Sequence, residues 1–220
     1  MLKELEKAMA DSIVTVEKVS LKYKKAVLTD VSISAEKGEV IGLLGLNGSG
    51  KSTLLSAIAG LRKPSSGSIK VNGKAGFVTQ ENALIDELTA MDNLKMWTPL
   101  SRQDIIKELT ETELSILKVN DFIDLKVKRM SGGMKKRLAI ASVLLAKPDI
   151  LLMDEPLAAL DIPAKNDIIN FIDSFRSKGG TVFIASHSEE LFKHCSKIYL
   201  LKNGVSSLMP AGISPAEALE

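Results

Sequence analysis

Residues 45–53 combine glycines, a lysine and hydroxyl side chains at a spacing that suits binding of a phosphate chain. The stretch reads Gly45-Leu46-Asn47-Gly48-Ser49-Gly50-Lys51-Ser52-Thr53, which fits the pattern Gly, four residues, Gly-Lys, then Ser or Thr. Glycines let successive backbone N–H groups turn inward around an anion, and the positive end of a following helix points at the same charge. We expect Lys51 to reach the β- and γ-phosphates and the Ser52 hydroxyl to bind Mg²⁺. This phosphate loop predicts binding of a nucleoside triphosphate.

Two acidic residues and a histidine follow apolar runs farther along the chain. Asp154 and Glu155 come after Ile150-Leu151-Leu152-Met153, and His187 follows the run 181–185. Buried parallel strands place such residues at the carboxyl edge of a sheet, where ligands bind. We expect Asp154 near Mg²⁺, Glu155 as the base for the attacking water, and His187 as a sensor of the γ-phosphate. The alternatives are two ordinary acids in a turn and a structural histidine.

Residues 131–137, Ser-Gly-Gly-Met-Lys-Lys-Arg, open a long helical pattern with three successive cations. A helix N-terminus carries partial positive charge and disfavours cations. One interpretation is a solvated basic face. The other is that this helix end receives an anion from outside, with Ser131 and the glycine N–H groups as donors.

The elements that must position these residues alternate between strand and helix. An apolar run at 40–44 leads into the phosphate loop, and a helical pattern from Ser52 to Ala59 ends at Gly60. Strands are also predicted at 12–23 and 27–34, at 68–71 and 74–79 joined as a hairpin at Asn72-Gly73, and in a final hairpin at 197–208. This order predicts an α/β fold, a largely parallel sheet wrapped by helices with antiparallel additions.

Residues 81–130 differ in composition, because glycine is absent from Phe77 to Ser131. Helix starts are predicted at Thr89 and Ser101, each followed three residues later by an aspartate. We predict one domain over 1–220, with a nucleotide-binding core at 12–80 and 131–208, an inserted helical subdomain at 81–130, and terminal extensions at 1–11 and 209–220. Residues 1–11 are either a short docking helix or a disordered start.

The totals favour a chain without a membrane span of its own. Of 220 residues 45% are hydrophobic, the net charge is +2, and Cys195 is the single cysteine. One cysteine excludes an intrachain disulfide, and no apolar run approaches the ~18 residues of a spanning helix. Charged residues stand where a signal peptide would be apolar. A cytoplasmic protein is expected, with any membrane connection made through a partner.

These motifs, in this order over roughly residues 12–208, resemble an ABC transporter ATP-binding subunit, with a P-loop NTPase core. The resemblance implies that Tyr23 stacks on adenine, that Gln80 touches Mg²⁺ and the attacking water at the hinge to the helical subdomain, and that the loop 157–161 passes between two subunits. The signature segment (residues 130–134) would meet the γ-phosphate held by the opposite subunit. It departs from the family pattern at Met130, usually Leu, and at Met134, usually Gln.

The motifs and the resemblance together imply a role for each of the following residues. ATP would be held by Tyr23, Asn47, Gly48, Ser49, Gly50, Lys51, Ser52, Thr53, Ser131, Gly133 and Asp161; Mg²⁺ by Ser52, Gln80 and Asp154; catalysis would use Glu155, His187 and Gln80.

The leading hypothesis is an ATPase that dimerises around ATP, as a homodimer, and powers a transmembrane permease, with export favoured over import. It would lie on the cytoplasmic face of the membrane through that permease. One alternative is a non-transport ATPase of the same fold acting on ribosomes or DNA, which the compact 81–130 segment and weak net charge disfavour. Another is a non-catalytic ATP sensor, which Glu155 and His187 disfavour.

Overall fold

The computed structural model describes residues 12–22, 26–210 and 213–219, and the following elements lie in those ranges. The strands are β1 (Val14–Lys22), β2 (Ala26–Ala35), β3 (Val40–Leu44), β4 (Ser66–Val71), β5 (Ala75–Val78), β6 (Ile150–Asp154), β7 (Thr181–Ala185), β8 (Lys197–Lys202) and β9 (Val205–Leu208). The α-helices are α1 (Lys51–Ile58), α2 (Ala90–Lys95), α3 (Arg102–Glu111), α4 (Gly132–Leu144), α5 (Ile162–Ser177), α6 (Glu189–Phe192) and α7 (Pro215–Leu219). Short 3₁₀ helices span Glu113–Leu117, Val119–Phe122 and Val127–Arg129.

The strands form two sheets. The larger has the order β5-β6-β7-β3-β8-β9, parallel except for the β8–β9 hairpin. The smaller is antiparallel with the order β2-β1-β4. The predicted fold class, a mainly parallel α/β sheet with an antiparallel β unit and added helices, is confirmed.

Alternate residues of the large sheet face two different hydrophobic cores, as the two-residue period of a strand requires. Ile41 and Leu43 of β3 pack with α1 and the antiparallel sheet. Val40, together with Leu151 and Met153 of β6, packs with α4, α5 and the helices between residues 90 and 129. The central strands are therefore buried on both faces, which is why they read as continuous apolar runs.

The hairpin predicted at Asn72-Gly73 is wrong. β4 and β5 lie in different sheets, because each side of the Asn-Gly turn has a distant partner. The Asn72 backbone N–H donates to the Ile13 carbonyl at 2.8 Å, whereas the Lys74 backbone N–H donates to Asp149 Oδ2 at 2.8 Å. Gly73 has a φ of 142° and lies against the Asp149 side chain. The turn carries the chain from one sheet to the other.

The helix starts predicted at Thr89 and Ser101 are confirmed. The Thr89 side chain accepts from the Asp92 backbone N–H in a capping box, and Ser101 accepts from the Asp104 backbone N–H. These caps satisfy N–H groups that have no partner within the helix.

Among residues 12–22, 26–210 and 213–219, every helix is too short or too polar to cross a membrane.

Candidate functional site

The predicted site residues follow three neighbouring parallel strands. β3 lies beside β7, and β7 lies beside β6. The phosphate loop follows β3, Ser186 and His187 follow β7, and Asp154 ends β6. Because these strands are parallel, the segments that follow them meet at one edge of the sheet.

The phosphate loop depends on two of its glycines for its backbone path. Gly48 has a φ of 79° and Gly50, the N-cap of α1, has a φ of 104°, values that L side chains adopt rarely. A Cβ on Gly50 would lie 2.4 Å from Leu28 Cδ2, so there is also no room for one. The loop therefore delivers the N-terminus of α1, with its free N–H groups, to the edge of the sheet.

Lys51 is folded back onto this loop. Its Nζ donates to the carbonyl oxygens of Gly45 at 2.7 Å and Leu46 at 3.3 Å, and the residue is 7% exposed. Burial lowers the pKa of Lys51, and the negative charges of Glu155 and Asp154 oppose that change. A phosphate in this loop would supply the counter-charge that the buried ammonium has only through those two acids.

A cleft of about 430 Å³ brings most of the predicted residues together. It is lined by Val27, Asn47, Gly48, Gly50, Lys51, Ser52, Thr53, Gln80, Asp154 and Glu155. The cleft thus combines the phosphate loop with both acidic residues and with Gln80, which comes just after β5.

Glu155 and His187 meet beside this cleft. Glu155 has a φ of 46°, and its backbone N–H donates to the Ala185 carbonyl at 2.8 Å, which turns the chain at the end of β6. His187 Nε2 lies 3.1 Å from Glu155 Oε1 and 2.9 Å from Asn47 Oδ1. Only the contact with Asn47 has hydrogen-bond geometry, so Glu155 Oε1 is a buried acceptor without a hydrogen bond. A buried carboxylate oxygen of this kind can accept a proton or orient a water molecule.

The donor set of the cleft fits Mg²⁺ better than a softer metal. Ser52, Gln80 and Asp154 offer a hydroxyl, an amide and a carboxylate, the oxygen ligands that Mg²⁺ prefers. Over the described ranges, the structure holds no group of three or more His, Cys, Asp or Glu arranged to bind a metal.

Ser131, Gly133 and Asp161 lie together in another place. A Cβ on Gly133 would be 2.7 Å from Ala164 Cβ and 3.8 Å from Asp161 Oδ1. Ser131 is the N-cap of α4 and Asp161 is the N-cap of α5, and each side chain accepts a backbone hydrogen bond in its own helix. The close approach at Gly133 brings the starts of both helices side by side. None of the three residues lines the cleft.

The cations at the start of α4 have partners on other parts of the chain, which corrects the interpretation of a solvated basic face. Lys135 Nζ lies 3.0 Å from Asp86 Oδ1, and Arg137 NH1 lies 3.1 Å from Asp167 Oδ2. Lys136 is 4% exposed and donates to two backbone carbonyls. The run is therefore not a solvated face, and its cations are compensated within the chain. The hypothesis that Ser131 and the glycine N–H groups receive an anion stays a prediction.

The contacts of Asp167 and of Lys136 were not predicted from the sequence. Asp167 of α5 also binds Lys118, with its Oδ1 2.6 Å from Nζ. The sequence offers one signal for Lys136, which is its place on the same helical face as Ile140. The structure buries that face, including Gly133, Lys136 and Ile140. No such signal pairs Arg137 with Asp167, which lies 30 residues away.

Tyr23 and residues 1–11 lie outside the described residues. The adenine contact assigned to Tyr23 and the docking helix considered for residues 1–11 therefore stay predictions.

A phosphate loop after a central parallel strand, with an acidic pair at the end of another strand, defines a P-loop nucleoside triphosphatase. Residues 28–158 match the family model described as ABC transporter. An ABC transporter ATP-binding protein of Listeria monocytogenes serotype 4b is 36% identical over 209 residues, which cover 86% of this chain and 78% of that protein. The lipoprotein-releasing system ATP-binding protein LolD of Rickettsia typhi is 32% identical, covering 91% of this chain and 100% of LolD.

Solved structures of ATP-binding cassettes also match this chain. A dimeric post-hydrolysis state of the ATP-binding cassette MJ0796, bound to ADP and Pi, matches with a TM-score of 0.78 and 29% identity. The match covers 88% of this chain and 96% of that chain. This chain belongs to the ABC transporter family, and within it is an ATP-binding ATPase that serves transport.

Proposed function

We propose that this chain hydrolyses ATP as half of a dimer and thereby drives export through a transmembrane permease. The observation that carries the catalytic part is the buried, unbonded Glu155 Oε1, 3.1 Å from His187 Nε2, beside a cleft that also contains the phosphate loop.

In the proposed mechanism Glu155, His187 and Lys51 have separate roles. Glu155 takes the proton of the water that attacks the γ-phosphate, because its free carboxylate oxygen already lies at the cleft. His187 contacts the γ-phosphate and holds Glu155 in place, and its hydrogen bond to Asn47 ties it to the phosphate loop. Lys51 exchanges the carbonyl oxygens of Gly45 and Leu46 for phosphate oxygens.

Ser52, Gln80 and Asp154 are proposed to hold Mg²⁺, which when bound neutralises developing charge on the phosphates. The remaining binding residues are proposed as predicted: the backbone of residues 47–53 cradles the phosphates and Tyr23 stacks on adenine. Ser49 contributes through its backbone, since its Oγ is buried against Gly45 and has no hydrogen-bond partner.

A second copy of the chain is proposed as the dimer partner. Ser131, Gly133 and Asp161 are away from the cleft, and Ser131 and Asp161 are exposed. Leu46, beside the cleft, is 60% exposed, and Ile162, next to Asp161, is 73% exposed. Each region therefore presents a large apolar side chain that a partner could cover. The dimer of MJ0796 with ADP and Pi supports a nucleotide enclosed between two cassettes. Ser131 and Gly133 of one copy would then meet the γ-phosphate held by the other.

The permease is proposed to bind residues 81–100. Ile85, Met96 and Trp97 are 43%, 56% and 55% exposed. Trp97 and Leu84 also line an apolar cavity of about 300 Å³ formed with β5 and α4. This surface begins one residue after Gln80, so a partner seated there can respond to the nucleotide. We propose the same division as the sequence predicts, into a core (12–80 and 131–208) and a helical subdomain (81–130). Export is favoured because LolD, a relative over 91% of the chain, belongs to a lipoprotein-releasing system.

The substitution Glu155→Gln tests the catalytic proposal. It keeps the size of the side chain and removes the base, so the turnover number should fall at least about 100-fold while ATP still binds. Phosphate release measures the first quantity and equilibrium dialysis with ATP the second. Glu190→Gln, an exposed carboxylate on α6, is the matched control and should leave both unchanged.

The same variant tests the dimer. With bound ATP that it does not hydrolyse, Glu155→Gln should elute from a sizing column as a dimer, and as a monomer when ATP is omitted. Hydrolysis at the wild-type rate would overturn the role of Glu155. A monomer at saturating ATP would overturn the shared site. Co-purification of a membrane protein with the wild-type chain tests the permease.

A further inference from the structure

The buried side chain of Lys136 links α4 to the segment that contains Gln80. It stands in the first turn of α4 and is 4% exposed. Its Nζ donates to the carbonyl oxygen of Thr79 at 3.2 Å and to that of Gln80 at 3.1 Å. These carbonyls belong to the Gln80 segment (residues 79–82), which leaves β5 and borders the cleft.

A buried lysine is a costly way to make two hydrogen bonds. Burial lowers the pKa of Lys136, and the negative charge of Asp154 opposes that change. An apolar side chain of the same length, such as methionine, would fill this space without desolvating an ammonium. If the position served packing alone, the apolar residue would be the better choice, so the hydrogen bonds themselves call for a role.

Lys136 links two segments that are proposed to contact different nucleotides. Gln80 lines the cleft of the chain's own nucleotide, whereas Ser131, which caps the helix that carries Lys136, lies outside it. The neighbouring Lys135 makes a separate link from α4 to Asp86, but through side chains that are 29% and 63% exposed. Exposed pairs of this kind contribute little. The buried Lys136 contact is the stronger link between α4 and the Gln80 segment.

We propose that Lys136 is a positioning residue that couples the Gln80 segment to α4, so that a shift of Gln80 at one nucleotide moves Ser131 toward the nucleotide of the partner copy. The inference rests on the proposed roles of Gln80 and Ser131. It requires Lys136 to act on turnover through Gln80, with little effect on the binding of ATP to its own cleft.

The experiment is a double-mutant cycle on ATP hydrolysis with Lys136→Met, Gln80→Ala and the combined variant. Lys136→Met should lower kcat about tenfold, equivalent to about 1.4 kcal/mol, and change the KM for ATP less than twofold. Lys136→Arg keeps the donors and should restore most of kcat. Lys135→Met, the same substitution one residue earlier, should keep the wild-type kcat. In the Gln80→Ala background, Lys136→Met should have almost no further effect.

Each outcome bears on a different claim. Additive losses in the cycle, an unchanged kcat in Lys136→Met, or an equal loss in Lys135→Met would overturn the coupling role. If Gln80→Ala itself leaves kcat unchanged, the proposed role of Gln80 fails first, and this inference fails with it. If Lys136→Met does not fold, as judged by circular dichroism, Lys136→Gln takes its place in the cycle with the same expected losses. A kcat for Lys136→Arg as low as that of Gln80→Ala would then overturn the proposal.

Discussion

Replacing Asp167 with alanine should destabilise the chain by removing the anion that two cations share. Asp167 Oδ2 lies 3.1 Å from Arg137 NH1, and its Oδ1 lies 2.6 Å from Lys118 Nζ. The side chains of Asp167 and Arg137 are 12% and 15% exposed, whereas that of Lys118 is 54% exposed. Lys118 can therefore return to water, but Arg137 would be left nearly buried without its counter-ion.

The magnitude follows from these exposures. Breaking a buried ion pair costs ~3–5 kcal/mol, and losing a pair with an exposed lysine costs ~0–1 kcal/mol. Arg137 keeps its stacking on the Phe122 ring, 5.3 Å from the centroid, and is not fully enclosed, so the lower end applies. We expect a loss of about 3 kcal/mol in the free energy of unfolding. For a chain of this size that lowers Tm by about 6–12 °C.

Urea unfolding followed by circular dichroism and by the fluorescence of Trp97 measures this loss, and agreement of the two probes supports a two-state analysis. The control is Asp173→Ala, which removes a contact of 2.9 Å with His194 between side chains that are 44% and 30% exposed. It should cost less than about 1 kcal/mol. Arg137→Met combined with Asp167→Leu should recover much of the stability, because neither charge is left buried. A loss below about 1 kcal/mol for Asp167→Ala, or equal losses for both aspartates, would refute the reasoning.

Two further predictions concern the phosphate loop and the cysteine. Gly50→Ala should reduce ATP affinity at least about tenfold in a titration, because a side chain at a φ of 104° would also collide with Leu28. Gly60→Ala, with a φ of 74° but open space around it, should lose stability and keep its affinity; equal losses of affinity would contradict the argument. Burial raises the pKa of the Cys195 thiol to about 12, so at pH 8 iodoacetamide should alkylate the folded chain roughly 1,000-fold more slowly than the urea-unfolded chain, because the thiolate is the nucleophile. Rates within tenfold of each other would show that the thiol is not protected.

The cleft could be predicted from the sequence because its parts are set by short spacings. The phosphate loop is one continuous stretch. Asp154 ends a five-residue buried strand, Glu155 follows directly after it, and His187 follows a second such strand. Once the strands are read as parallel and neighbouring, their ends must meet. The sequence alone does not show that β6 and β3 flank β7. Any order in which these parallel strands are neighbours would bring the same residues to one edge of the sheet.

Long-range partners account for what the sequence did not reveal. Asn72-Gly73 has the composition of a hairpin turn, yet Ser12, Ile13 and Asp149 take its hydrogen bonds. The cations of α4 look uncompensated along the chain, whereas their partners lie 30 to 57 residues away. In both cases a tertiary contact overrides the local sequence pattern.

The central place of β3 has a consequence for synthesis on the ribosome. β3 is complete by residue 44, but both strands that flank it, at 181–185 and 197–202, come near the end of the chain. At a translation rate of ~5–20 residues per second, β3 waits roughly 10–30 s for its neighbours. During that time Val40, Ile41, Leu43 and Leu44, all fully buried in the finished sheet, have no native strand partner. For most of its synthesis the nascent chain therefore carries an apolar segment next to its phosphate loop that lacks its native strand partners. A chaperone that recognises extended apolar segments would act on this stretch.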